Sequence, residues 1–303
     1  MGLSVNRIKK WTKMLCGKSL LHVNQDLGKC FSVFEIKGYY NNLIEKVEKD
    51  SENVSAVDYI PKIVSESGKE VEFPITVFQY ALGCYDLYLQ SNKSLYLSKF
   101  FACVDWAMEH QNDAGAFDSF SFLYNNAPYS AMCQGEAASV FIRAWVQLGD
   151  EKYLLAARKA INFMLKSVEE GGTTSYENNE IYLLEYTNLP CVMNGWIFAL
   201  FGLYDISLVL PQENYGTIFK KSTETLKKEL PQFDNGYWSM YDIKDKIASP
   251  FYHDLHIAQM QAMYAITEDE IFNQYANKFI AYKRSFIKRT RAFWKKAIQK
   301  ILE

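Results

Sequence analysis

The feature that most constrains this chain is an internal repeat with a period near 60 residues. Four segments share one plan: a helix rich in small and aromatic residues, a short turn, then a more amphipathic helix. The first helices begin near Thr76, Met132, Val192 and His256. Their partners span Ser94–Glu109, Glu151–Ser167, Tyr215–Leu230 and Glu268–Phe286. The steps Gln79 to Gln134, Gln134 to Asn194 and Asn194 to His256 are 55, 60 and 62 residues. Such a unit cannot bury its apolar face alone, so neighbours must stack. First helices carrying Gly83, Gly135, Gly195 and Gly202 are apolar almost all round and read as inner helices. Partners such as Tyr153–Ile161 keep a polar stripe and read as outer helices. The expected fold is all-α, an incomplete α/α toroid of about four hairpins, with long loops at a central cleft: 112–130, 171–190 and 231–254.

Charge is segregated along the chain. Residues 1–31 hold six Lys/Arg and one acid, and residues 278–303 hold nine and one, although the whole chain is at −2. The intervening body carries 18 basic and 33 acidic residues. An acidic body without a recognition motif argues against nucleic acid. Basic ends suit an anionic polymer or membrane surface. In 282–302, Phe286, Ile287, Phe293, Ile298 and Ile301 punctuate the basic residues, so a peripheral amphipathic helix is expected there. The division expected is a basic lead-in over 1–69, a toroid over 70–285 and the basic helix over 286–303. No stretch reaches the ~18 apolar residues of a membrane span, and the N-terminal apolar run is too short for a secretory signal. A cytoplasmic location, membrane-peripheral through the basic ends, is the expectation. Six cysteines lie scattered without a CxxC pair, as in a reduced protein with buried thiols.

Two of the long loops are rich in tyrosine. Residues 171–190 contain Tyr176, Tyr182, Glu185 and Tyr186; residues 231–254 contain Tyr237, Trp238, Tyr241, Lys244, Tyr252 and His253. Tyrosine serves as a general acid, or as a base when a cation or hydrogen bond lowers its pKa of ~10. A Glu and a Lys among such tyrosines suit proton abstraction from carbon better than glycoside hydrolysis, which usually needs two placed carboxylates. The same tyrosines also suit plain packing beneath loops. His253 and His256 are three apart, on one face if they lie on a helix, but lack a third ligand at metal spacing, so no metal is expected. One of the two is expected to reach the cleft and the other to be hydrogen-bonded inside.

Motifs then fall in order along the chain. Ala127–Gly135 with Arg143-Ala144 resembles the "APW/YSxMxQG…RA" stretch of the D-glucuronyl C5-epimerase C-terminal domain. Glu185-Tyr186, Val192–Gly195 and Gly202–Asp205 resemble its "EEYP…VLNG…GLYD". Met240–Ile243 is similar to its "IYDL", and Tyr252–Gln259 to its "YHxxHIxQ". Phe73-Pro74 and Gln79-Tyr80 with Gly83 also fit. The resemblance covers roughly residues 70–285. It implies inversion of C5 of glucuronate to give iduronate within a heparan-type polymer, without a cofactor. It places catalytic roles on Glu185, Tyr186, Tyr241 and Tyr252, with Glu185 and Tyr252 as the acid–base pair. Substrate contacts are expected from Lys244, His253, Asn194, Gln134, Arg143, Tyr129 and Tyr80, with Tyr241 and Lys244 on the carboxylate. Lys244 stands where the family has Arg, which forgoes a bidentate grip. Animal members carry a β-rich portion ahead of the helical domain, for which the 70 residues here are too short. The expected partner is a glucuronate-containing polysaccharide, with a homodimer as the assembly left open. Two other functions fit the same residues: a polysaccharide lyase that begins with the same proton abstraction, and a non-catalytic sugar-binding protein.

Overall fold

The computed structural model describes residues 22–49, 55–65 and 68–302. The basic residues between Arg7 and Lys18, and Cys16, lie outside them. After a short turn α1 (Glu45–Glu48), four hairpins follow: α2 (Pro74–Ser91) with α3 (Ser94–His110), α4 (Ala131–Leu148) with α5 (Glu151–Met164), α6 (Met193–Val209) with α7 (Tyr215–Glu229), and α8 (Pro250–Thr267) with α9 (Glu270–Arg284). Helix α10 (Phe286–Leu302) closes the described chain.

Three of the hairpins turn by the same two-residue device. Asn92, Gly149 and Glu268 take the left-handed conformation that ends the inner helix (φ 54°, 69° and 56°). Lys93, Asp150 and Asp269 follow in extended conformation as N-caps of the outer helix. The Asp150 and Asp269 carboxylates accept the N–H groups of Lys152 and Ile271, satisfying donors that a helix start leaves open.

The expected split into inner and outer helices holds. Residues 77–87 of α2, 131–144 of α4 and 193–203 of α6 are buried without interruption, whereas α7 and α9 bury one stripe. Inner helices neighbour one another in the order α2, α4, α6, α8, making an arc. Helices α4 and α6 meet backbone to backbone: a β-carbon on Gly202 would overlap Gly135, and one on Gly135 would lie 2.7 Å from the Ala199 Cα. Only glycine permits that approach.

The lead-in runs along the inside of the arc. His22 meets Phe251 and Tyr252 of α8, and α1 packs on α2 at the other side. Tyr39, Tyr40, Leu43, Ile44 and Val47 join the central core. Polar groups anchor this segment to three inner helices. Arg143 of α4 pairs with Asp205 of α6 at 2.7 Å and donates to the Gly38 carbonyl at 2.9 Å. The Tyr40 hydroxyl donates to Asp205, and the Tyr39 N–H to Asp86 of α2.

Two small hairpins decorate the helices. β1 (Ile63–Val64) pairs with β2 (Glu70–Val71), Ile63 opposite Val71. β3 (Thr174–Glu177) pairs with β4 (Glu180–Leu183), Thr174 opposite Leu183. Asn178 and Asn179 between them both have positive φ, the requirement of a two-residue turn matching strand twist. The segment 171–190 is therefore partly strand. The segment 231–254 is shorter than the sequence suggested, because Ser249 caps α8 and Pro250 occupies its first turn. Tyr252 and His253 consequently lie on a helix, not in a loop.

Candidate active site

The N-terminal ends of the inner helices converge on a cleft of about 260 Å³. Gln79 of α2, Met132 of α4, Asn194 of α6 and Tyr252 of α8 reach it from their own first or second turns. Helix N-termini carry partial positive charge, so a cleft built from several of them favours an anionic ligand.

Glu185 follows β4 and is held in place by its neighbour Leu184, whose carbonyl accepts the Ala131 N–H at the start of α4. Its carboxylate lies against Gly195 in the first turn of α6, and a β-carbon there would overlap it. Asn194 donates to its Oε2 at 3.4 Å. Burial pushes Glu185 up to about 7, partly offset by hydrogen bonds from Tyr186 and Asn194. A carboxyl group near neutrality is poised to take and return a proton.

Tyr186 stacks on Phe120 at 4.6 Å, and Tyr241 meets Tyr252 edge-on at 4.8 Å. The Tyr241 loop is fastened to α6 by the Met193 N–H, which donates to the Tyr241 carbonyl. Burial raises all three hydroxyls above the usual phenol range, and the charge of Glu185 raises each further. So raised, they are proton donors near neutral pH. Glu185 is the group with base character.

Of the residues expected to contact substrate, the structure brings only Asn194 to the cleft lining beside Glu185, Tyr186 and Tyr252, while Tyr241 lies outside that lining in contact with Tyr252. Lys244 is exposed on a turn whose three successive N–H groups donate to Asp242. His253 is fully buried. Its Nε2–H donates to the Phe279 carbonyl, its Nδ1 accepts from Ser239, and its ring lies 3.6 Å from that of Trp238. Burial lowers it to about 3. His256 is buried too and donates from Nδ1 to the Ser239 hydroxyl, so neither histidine serves the cleft. Arg143 belongs to the Asp205 anchor, and Gln134 donates to the Phe117 carbonyl. Tyr80 accepts from Lys99, and Tyr129 packs edge-on against Phe163. Arg143, Gln134, Tyr80 and His253 thus bond to other parts of the frame, a use that sequence alone does not separate from a ligand contact.

The cleft also holds residues that the sequence did not single out. Lys46, from the lead-in, lines it while nearly buried. Burial lowers its ammonium to about 8, and the charge of Glu136 partly opposes this. Gln79 lines the cleft and donates to Glu136 at 2.8 Å. His22 closes the side near Tyr252. Lys46 lies between Glu45 and Glu48 in a charged stretch of sequence, so no local pattern marks it as a cleft residue.

Comparisons with known proteins bear on the family and the fold. The sequence profile of the D-glucuronyl C5-epimerase C-terminus matches residues 104–281. D-glucuronyl C5-epimerase of Caenorhabditis elegans is 30% identical over 212 residues, 60% of this chain and 34% of that protein. An uncharacterized protein of Methanocaldococcus jannaschii is 34% identical over 170 residues, 53% of this chain and 55% of its own. The chain thus spans about a third and about half of the length of these curated relatives. Among solved structures, a UGL variant with dGlcA-Glc-Rha-Glc superposes with a TM-score of 0.50 at 13% identity, covering 79% of this chain and 66% of that one, a likeness of fold alone. With more than half of its length matched by the profile, the chain belongs to the D-glucuronyl C5-epimerase C-terminus family.

Proposed function

We propose that this protein is a uronyl C5-epimerase, converting D-glucuronate to L-iduronate residues in a polysaccharide or its precursor. The observation that carries this reading is Glu185, a buried carboxyl group held near pH 7 at a cleft lined with proton-donating tyrosines. The hydrogen on C5 lies alpha to the sugar carboxylate. Glu185 removes it as a proton, and the electron pair left behind delocalises into the carboxylate as an enolate. Tyr252 delivers a proton to C5 from the other face, leaving Glu185 protonated and Tyr252 as a phenolate stabilised by donation from Tyr186 and Tyr241. Glu185 then loses its proton to solvent and Tyr252 takes one from it, which restores the starting state. In the reverse direction the two groups exchange roles. Lys46 supplies the cation for the substrate carboxylate, the part expected of Lys244, and its charge is worth most on the enolate, where negative charge is greatest.

The test is solvent deuterium incorporation at C5 of a glucuronate polymer, read by NMR. Incorporation with formation of iduronate supports the epimerase. Incorporation accompanied by the ultraviolet absorbance of an unsaturated uronate identifies a lyase instead. Binding without incorporation would leave a sugar-binding protein.

A further inference from the structure

Helix α10 is amphipathic in the reverse sense for a helix lying on a protein. The side facing the toroid is small and polar. Ala292 is 2% exposed, Lys288 donates to the Gly236 carbonyl, Lys296 to the Ile247 carbonyl and Gln299 to the Asp245 carbonyl. At 100° per residue these positions share one face. The opposite face carries Phe286, Ile287, Phe293, Trp294 and Ile298, and all five are exposed, Ile287 to 79%, Phe286 to 71% and Trp294 to 62%. The Ile301 side chain lies outside those described. Arg291 and Lys295 flank the stripe on one side and Arg289 on the other, all exposed.

We infer that this outward face is a docking surface for a membrane bearing anionic lipids. A contiguous apolar stripe turned to water marks a binding surface. The charge decides what covers it: residues 278–302 hold nine basic side chains and no acid. A second copy of the chain would bring the same cations into contact with these, a juxtaposition that opposes association. Anionic headgroups neutralise them while the rings and aliphatic side chains enter the acyl boundary. The helix is fastened to the body at both ends, through Lys288 and Gln299, so it is ordered before binding. Phe251 lines both the cleft and the groove beside Phe293, so the docking surface borders the candidate active site.

The test uses the full chain with phosphatidylcholine vesicles, with and without phosphatidylserine, in flotation assays. The parent should float with the anionic vesicles and stay behind with the neutral ones. Ile287→Ser/Trp294→Ser/Ile298→Ser and Arg289→Gln/Arg291→Gln/Lys295→Gln should each reduce the bound fraction by about tenfold or more. The three apolar side chains point to solvent, so that variant's melting curve should match the parent; Arg291 stacks on Tyr237 at 4.0 Å, so the basic variant is compared with the parent at a temperature where both are folded. Brominated lipid should quench the parent's fluorescence and lose that part of the effect in Trp294→Phe. Flotation unchanged by the apolar triple variant would overturn the proposal. A dimer that this variant dissolves, with no vesicle binding by the parent, would also overturn it and assign the face to a second copy.

Discussion

The Glu185 carboxylate lies directly against Gly195, at a point where any β-carbon would overlap it. The first turn of α6 therefore sets the depth of this carboxyl group in the cleft, and a single methyl group can move it.

Gly195→Ala should displace Glu185 while leaving the rest of the cleft intact. A shift of about 1 Å costs about 10²-fold in rate, so C5 exchange should fall by that order. Polymer affinity, measured by calorimetry, should change far less.

Glu185→Gln and Tyr252→Phe each keep shape and remove a proton carrier. Either should reduce C5 deuterium exchange by ~10²–10⁴-fold with melting curves that remain cooperative. In the parent, exchange should rise with pH through about 7 as Glu185 ionises. A flat profile across that range would remove Glu185 as the base.

The same carboxyl group has a stability signature of defined sign. Its folded pKa of about 7 lies above the ordinary 4.5, so the folded state binds more protons than the unfolded chain between those values. The stability it contributes is present below about 4.5 and lost as pH rises through about 7, on the order of 3 kcal/mol in all. Glu185→Gln should therefore melt higher than the parent at pH 8 and show a shallower fall between pH 5 and 8. Asp86, also raised to about 7 by burial, should keep part of the slope.

Lys46→Met should weaken substrate binding and turnover together, because the cation faces the carboxylate in both ground and transition states. Lys244→Ala, on its exposed turn, should change either by less than about twofold. Since burial lowers Lys46 to about 8, a uronate bound at pH 8 should draw a proton onto it. Calorimetry in buffers of different ionisation heat should register that uptake in the parent and lose it in Lys46→Met.

Arg143→Leu should act on stability. It leaves Asp205 buried without its partner, a loss of about 3–5 kcal/mol, measurable by urea denaturation. The molecules that remain folded should keep their C5 exchange rate.

The toroid was legible in the chain because its cause is local and repeated. The helix pattern recurs every 60 or so residues, and devices such as Gly149-Asp150 or Ser249-Pro250 depend on nearest neighbours. Motif and loop chemistry single out Glu185, Tyr186, Tyr241 and Tyr252; the first two and Tyr252 line the cleft, and Tyr241 touches Tyr252. What the order of residues did not reveal is which polar side chain turns toward ligand and which toward the frame. Arg143, Gln134 and His253 have the same polarity as Asn194, yet their partners Asp205, Phe117 and Phe279 become neighbours only when helices distant in sequence pack. Lys46 reached the cleft for the same reason. It lies outside the repeat, and its place depends on the lead-in running inside the arc, a long-range contact made by Tyr39, Tyr40 and Leu43 and not by any local pattern. The shift of Glu185 toward neutrality likewise exists only once the surrounding helices exclude water from it.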